Sequence, residues 1–253
     1  MGADWQCEQL ENAQYCLFEQ KELTGNGNYS VGIAQGGKLK RVFYMLDSNG
    51  CGNASAKSME NGHTQTNPGI ASDQIDWCTV QINEIKEVSP EVKISFAYHI
   101  QQAAFGLAYG QYGFTNYNTK ENPINIDTHP DKKEGDFGYL GRDMKGPWDT
   151  GYLYWQLMKD LGVDSIFVGH EHCNNASVVY DGVRFQYGQK SSEYDRFNNF
   201  MPDGTIVGAS YRAGTPLIGG TVIPISEVDG NILTPYIYLC KEAGGQIDWS
   251  KWW

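Results

Sequence analysis

The sequence predicts an α/β protein, a mixed sheet with helices packed outside it and antiparallel hairpins towards the C-terminus. Three observations carry this. Segments 41–47, 92–98 and 164–168 are short, nearly continuous apolar runs, as in strands covered on both faces. Segments 71–87 and 150–161 fall between those runs and repeat apolar residues at helical spacing. Turn pairs such as Gly36-Gly37, Asp181-Gly182 and Asp229-Gly230 divide further strand-like runs.

Residues 27–34 and 40–47 read as two strands joined by Gln35-Gly36-Gly37-Lys38. Residues 48–69 are rich in Gly, Asn and Ser and read as a surface loop. In the helix 71–87, Ser72 or Asp73 is the candidate N-cap, Ile75, Cys78, Ile82 and Ile85 share one side, and Pro90 lies just beyond the end. The strand 92–98 follows, with His99 at its end. Residues 106–148 are rich in Gly, Asn and Asp and too long for a plain connection, so they read as a functional or capping insert. Asp149 is placed to cap the helix 150–161, which carries Tyr152, Trp155, Leu157, Met158 and Leu161 and is closed by Gly162. The strand 164–168 runs straight into Gly169-His170-Glu171-His172. Hairpins then join 176–180 to 183–187 and 220–227 to 231–239, the Asp-Gly pairs suiting type I′ turns. No repeat or low-complexity linker interrupts the 253 residues, so residues 1–253 read as one domain with 106–148 inserted in it.

A net charge of -11 repels a phosphate backbone, so nucleic-acid binding is not expected. It leaves room for a phosphorylated small molecule, because bound cations invert the local field. The six cysteines include no Cys-x-x-Cys pair and are too sparse for a disulfide scaffold, so reduced thiols are expected. Cys173 adjoins the histidine pair but reads as a packing residue. No apolar run is long enough for a membrane span. The first residues lack the basic region and apolar core of a secretory leader, and the sequons at Asn28, Asn53 and Asn175 do not fix a compartment.

Of the five histidines, His99 and His170 follow predicted strands directly and His172 is two residues further on, while His63 and His129 lie in loops. Carboxyl ends of strands are where α/β sheets bind ligands, and neutral imidazole is a common ligand of divalent metals. Gly169 lets the backbone bend between the strand and the two imidazoles. The alternative is a pair of surface histidines in a loop. Strand-Gly before His-x-His, with His99 after another strand, favours a metal centre of His99, His170 and His172.

Phe167-Val168-Gly169-His170-Glu171-His172-Cys173-Asn174 resembles the closing Gly-His-x-His motif of the calcineurin-like metallophosphoesterases. Phe96-Ala97-Tyr98-His99-Ile100 is similar to their preceding lone-histidine motif. The stretch from Gly27-Asn28-Tyr29-Ser30 to Leu46-Asp47-Ser48 resembles the strand pair before it. The pattern spans most of residues 15–240 and is nearest to the purple-acid-phosphatase-like branch. The resemblance implies the C-terminal half of a four-layer α-β-β-α sandwich and a dinuclear centre of zinc, iron, manganese or similar ions that hydrolyses phosphoesters. It assigns His99 and His170 to the second metal and His172 to the first. It gives Glu171 no ligand role, leaving it to solvent or to support of the ligands; Asn174, Gln189 and Ser191 are possible neighbours.

The family's Asp-x-His, Gly-Asp-x-x-Asp and Gly-Asn-His-Asp/Glu motifs, which supply the bridging carboxylate and the remaining ligands, are absent before residue 92. Asp127-Thr128-His129 has the form of the first but follows His99, and Gly135-Asp136 has no Asp three residues on. The expectation is an N-terminally truncated domain that holds one metal or none, with little or no activity alone and a separate segment as one source of the missing half. A non-catalytic metal-binding or structural domain of the same fold is the alternative. Arg142 and Arg184 are candidates for phosphate contact, with structural roles as the plainer reading. Asp131, Glu134, Asp136 and Asp143 are expected in a solvated loop rather than at a substrate mouth. Tyr109, Tyr112, Phe114, Tyr117 and Trp148 read as core rather than lid, and Trp249, Trp252 and Trp253 as packed on the sheet rather than docked on a partner.

Overall fold

A computed structural model describes residues 2–49, 69–114, 124–140, 150–172, 174–191, 199–200, 206–207 and 219–239. Its architecture is mixed α/β. Strands β1 (Tyr29–Gln35), β2 (Lys38–Leu46), β3 (Lys93–Tyr98), β6 (Val163–Val168), β7 (Ser177–Tyr180) and β8 (Val183–Tyr187) form one sheet in the order β1-β2-β3-β6-β8-β7. The four inner strands β2, β3, β6 and β8 run parallel, and β1 and β7 close the edges antiparallel. Three two-stranded ladders complete the described strands: β4 (Ile124–Asn125) with β5 (Tyr139–Leu140), β9 (Asn199–Phe200) with β10 (Ile206–Val207), and β11 (Gly219–Val222) with β12 (Tyr236–Leu239).

Helices α2 (Ser72–Val88), α3 (Ala104–Gly110) and α4 (Thr150–Asp160) bury one face of the sheet. Alternation along the strands sends Val42, Tyr44 and Leu46, then Ile94, Phe96 and Tyr98, to that face. There they meet Ile75, Cys78 and Ile82 of α2, Phe105 and Tyr109 of α3, and Trp155 and Met158 of α4. The opposite face carries Val31, Phe43, Met45, Ala97 and Phe167, all half-buried. The hairpin of β11 and β12 reaches this face through Thr221 and Ile223 and through its connecting loop, where Arg41 Nε donates to the Gly230 carbonyl at 2.8 Å.

The turns follow their residue chemistry. Gly36 and Gly37 both have positive φ (59° and 75°), as do Asp181 and Gly182 (49° and 79°), the pattern of a type I′ hairpin. The turn at Asp229-Gly230 is different: only Gly230 is left-handed, and the bonds Ser226 N–H to Asn231 O and Gly230 N–H to Ser226 O make a wider loop. The regular strands beside it are correspondingly shorter than 220–227 and 231–239. The N-cap of α2 is Ala71, not Ser72 or Asp73. Its own N–H is taken by Gln74 Oε1 at 2.5 Å, and Asp73 instead accepts from Thr24 N at 2.7 Å.

A helix not predicted from the sequence, α1 (Ala3–Glu11), precedes the sheet; it buries only Cys7 and leaves Trp5 and Leu10 exposed. The described part of the 106–148 insert is packed rather than loose. Asp136, expected in solvent, is buried: it accepts from Tyr112 Oη at 2.6 Å and from Val179 N at 2.9 Å, pinning residues 126–140 to the β7 edge. Tyr109, Tyr112 and Phe114 are core, as expected. Cys7, Cys16 and Cys78 are free thiols. Among the described residues no helix is long and apolar enough to cross a membrane. The cap at Asp149, most of the loop 48–69, and Cys173, Tyr117, Arg142, Asp143, Trp148, Trp249, Trp252 and Trp253 lie outside the described residues.

Candidate metal centre

The parallel strands all end at one edge of the sheet, with His99 the first residue past β3 and Gly169-His170 the first two past β6. The register pairs Ala97 with Phe167, which brings His99 level with Gly169. The Gly169 N–H donates to the His99 carbonyl at 3.0 Å. A Cβ at position 169 would stand 3.1 Å from His99 Nδ1, so the glycine leaves the space in which that imidazole lies. The chain then turns sharply at His170, whose φ is +69°. A non-glycine residue there costs roughly 1–2 kcal/mol, a strain that recurs at functional sites.

The outcome is a close pair of imidazoles. The rings of His99 and His170 meet edge to face, with centroids 5.3 Å apart and planes at 89°. Two imidazoles bound at ~2.0–2.1 Å to one tetrahedral ion hold their centroids about 5 Å apart, so the pair is spaced as neighbouring ligands would be. The same spacing is ordinary for two rings in edge contact, so it admits a shared ion without requiring one. His99 is held below its ordinary proton affinity, first by burial and then by repulsion from His172. The neutral ring is the form a metal takes.

His172 is exposed, two residues past His170. Among the described residues, no three His, Cys, Asp or Glu side chains converge to hold an ion. The structure therefore brings His99 and His170 into ring contact, with His172 close enough to act on the charge of His99. Glu171 is only 8% exposed, which rules out the solvent-facing alternative for it; its Oε1 lies 3.9 Å from His170 Nε2. The Glu171 N–H donates to the Gly169 carbonyl at 2.9 Å, closing the turn that carries the side chain inward.

Other predicted residues sort clearly. Asn174 is buried and its N–H donates to the Glu171 carbonyl; Gln189 Oε1 accepts from Asn175 Nδ2; Ser191 is exposed. Arg184 donates to Gly135 O and Ser177 Oγ, a structural role at the β7 edge. Asp127 accepts from Gly138 N and Lys132 Nζ, and His129 meets Tyr112 edge to face, so Asp127 and His129 are engaged within their own loop.

Three residues at this edge went unrecognised in the sequence. Ser48, just past β2, accepts from Ile100 N at 2.9 Å and ties the β2 and β3 ends together. Gln101 and Gln102, two and three residues past His99, are 0% and 3% exposed, yet the amide oxygen and nitrogen of both have no hydrogen-bond partner. The one usable signal was their position immediately after a strand-end histidine. No family model matches this sequence, and no curated protein sequence matches it.

Proposed function

We propose that the chain carries the histidine side of a dinuclear metal centre that hydrolyses phosphoesters. The observation that carries this reading is the His99–His170 pair, 5.3 Å apart at the carboxyl ends of adjacent parallel strands and seated against Gly169. His99 and His170 hold one ion, and exposed His172 swings in to hold it or a second. When bound, divalent ions polarise a phosphoester, activate water and offset the charge that develops on the oxygens. Glu171, buried beside His170, keeps that imidazole in one orientation, as carboxylates commonly do for metal-bound histidines.

The fold reading is the C-terminal half of a four-layer α-β-β-α sandwich. What supports it is the second face of the sheet. Among the described residues, α2, α3 and α4 pack on one face, while the other presents Met45, Ala97 and Phe167 around an open hollow of about 380 Å³ that reaches His99 and is lined also by Thr221 and Ile223. A second sheet would bury that surface and bring the carboxylate ligands that His99, His170 and His172 lack. Without them this chain is expected to bind metal weakly and turn over little phosphoester.

A non-catalytic metal-binding or structural domain is the competing reading, favoured by the failure of three ligands to converge among the described residues. Metal content and aryl phosphate turnover, measured on the chain and on His170→Ala and His172→Ala, decide the matter. Zinc or manganese held by the native chain and lost in both variants supports the centre. Equal metal content in all three removes it. Metal binding without turnover, even after a complementing segment is added, selects the non-catalytic reading.

A further inference from the structure

The two edges of the six-stranded sheet are finished differently. At β7 the insert takes up the outward backbone groups. Ser177 and Phe137 exchange both of their backbone hydrogen bonds, at 2.9 and 3.0 Å. The Val179 N–H donates to Asp136 Oδ1 at 2.9 Å, and the Val179 carbonyl accepts from Gln111 Nε2 at 3.2 Å. At β1, the other edge, no such cover exists among the described residues. Its seven residues bond only to β2, and none of them is buried. An edge strand turns alternate N–H and C=O groups outward, and an unprotected edge recruits another strand. Charged side chains and proline are the common protections, and Tyr29-Ser30-Val31-Gly32-Ile33-Ala34-Gln35 has neither. Its one irregularity, a register shift between Ile33 and Ala34, lies towards the hairpin end.

We propose that β1 is a self-association edge: two copies of this chain pair antiparallel through β1 about a two-fold axis near Gly32, joining two six-stranded sheets into one. The side chains of β1 suit a second copy. About that axis Val31 of each copy faces Ile33 of the other, on the face that carries Phe43, and Ser30 faces Ala34 on the opposite face. Branched residues thus meet branched residues, and small ones meet small ones. The flanking charges suit it too. Lys38 and Lys40 follow the hairpin end of β1, while Glu19 and Glu22 flank its start beside Lys21, whose N–H donates to the Asn28 carbonyl at 3.1 Å. Antiparallel pairing sets the lysine end of one copy beside the glutamate end of the other, which offsets the repulsion between two chains of net charge -11. The assembly also closes. With β7 covered, this sheet offers one edge, so pairing stops at two copies and does not grow into a fibre. It needs no metal at His99 and His170, so it stands or falls apart from the phosphoesterase reading.

The test is sedimentation equilibrium of the full chain, under reducing conditions because Cys16 is an exposed free thiol. Two double variants are compared with it: Ser30→Lys with Ala34→Lys, and Ser30→Glu with Ala34→Glu. The facing positions then carry like charges within each variant and opposite charges between the two. The native chain is expected to dimerise. Each variant alone should dissociate at least about tenfold more readily, because like charges directly opposite destabilise a strand pair. An equimolar mixture of the two should recover the dimer. Hydrogen exchange on the native chain needs no variant: the β1 amides should gain protection as concentration rises through the dimerisation range. A native chain that stays monomeric up to its solubility limit overturns the inference and leaves the edge to a strand of another protein. A dimer that both variants retain, or one that forms without added protection at β1, overturns it as well.

Discussion

The two ends of the parallel strands treat buried polar groups in opposite ways. At the amino end of β2, Arg41 is fully buried and its guanidinium makes five hydrogen-bond contacts: two to the Asp164 carboxylate at 2.6 and 2.7 Å, two to Ser95 and Ser165 hydroxyls, and one to the Gly230 carbonyl. At the carboxyl end, His99 and His170 share an edge contact, Glu171 is buried 3.9 Å from His170 Nε2, and the side-chain amides of Gln101 and Gln102 have no partner among the described residues. The first arrangement is closed and serves the fold: it locks β2, β3 and β6 and fastens the β11–β12 hairpin to them. The second leaves buried side-chain polar atoms unpaired, which costs stability. Satisfied and unsatisfied buried polar groups are thus divided along the strands, and the proposed site lies at the unsatisfied end, where α/β sheets generally bind ligands.

The comparison breaks most decisively at Arg41. Arg41→Met removes the cation and leaves Asp164, two buried hydroxyls and the Gly230 carbonyl without it. Breaking a buried pair in this way costs about 3–5 kcal/mol; Asp164 is about one-third exposed, so the lower end is expected. Urea unfolding measures it. Zinc affinity of the molecules that remain folded should be unchanged; a parallel loss of affinity would mean the two ends are coupled.

At the other end, Glu171→Leu should do the reverse. Loss of a carboxylate that orients a metal-bound imidazole typically weakens the metal by about 10–100-fold. Zinc titration against a competing chelator reads this out, and the visible spectrum of the cobalt form should shift. Glu171→Asp should recover part of the affinity. An unaltered cobalt spectrum in Glu171→Leu would show that the carboxylate is structural. Gly169→Ala sharpens the same point. Its backbone suits alanine, since φ at 169 is not left-handed, but the added Cβ would sit 3.1 Å from His99 Nδ1. Roughly 1–2 kcal/mol is expected from such crowding, appearing as weaker metal binding if the imidazole is displaced and as lower stability alone if the strand ends part instead.

What the sequence disclosed follows from the range of the physics involved. The Gly36-Gly37 and Asp181-Gly182 hairpins were legible because left-handed φ is a local demand with a local residue signature. Three of the four inner strands, β2, β3 and β6, were legible because apolar side chains on both of their faces leave nearly unbroken apolar runs. His99 and His170 were legible as strand-end residues, and the register confirms that their strands are neighbours. Asp136 was misread because its burial depends on Tyr112, 24 residues before it, and on Val179, 43 residues after it. The helix α1 was missed because it offers one buried residue, Cys7, and no apolar stripe to mark it. Gln101 and Gln102 were invisible for a deeper reason: a buried, unbonded amide breaks the rule that polar residues mark the surface, and no periodicity encodes that exception.

The smallest expected effect tests whether the open end is held in place by anything besides the histidine loop. The Ile100 N–H, one residue past His99 and one before Gln101, is donated to Ser48 Oγ at 2.9 Å. Ser48 is itself almost fully buried, so water cannot readily replace it. Ser48→Ala should cost about 1 kcal/mol, the usual net worth of such a bond, measured by urea unfolding. Because the bond belongs to the backbone that carries both His99 and the glutamines, it should also loosen zinc by a small factor, whereas a loss of the same size made at Arg41 should leave zinc alone. Equal zinc affinity in Ser48→Ala and the native chain would mean that Gly169, through its bond to the His99 carbonyl and the space it leaves, positions the imidazole without help from β2.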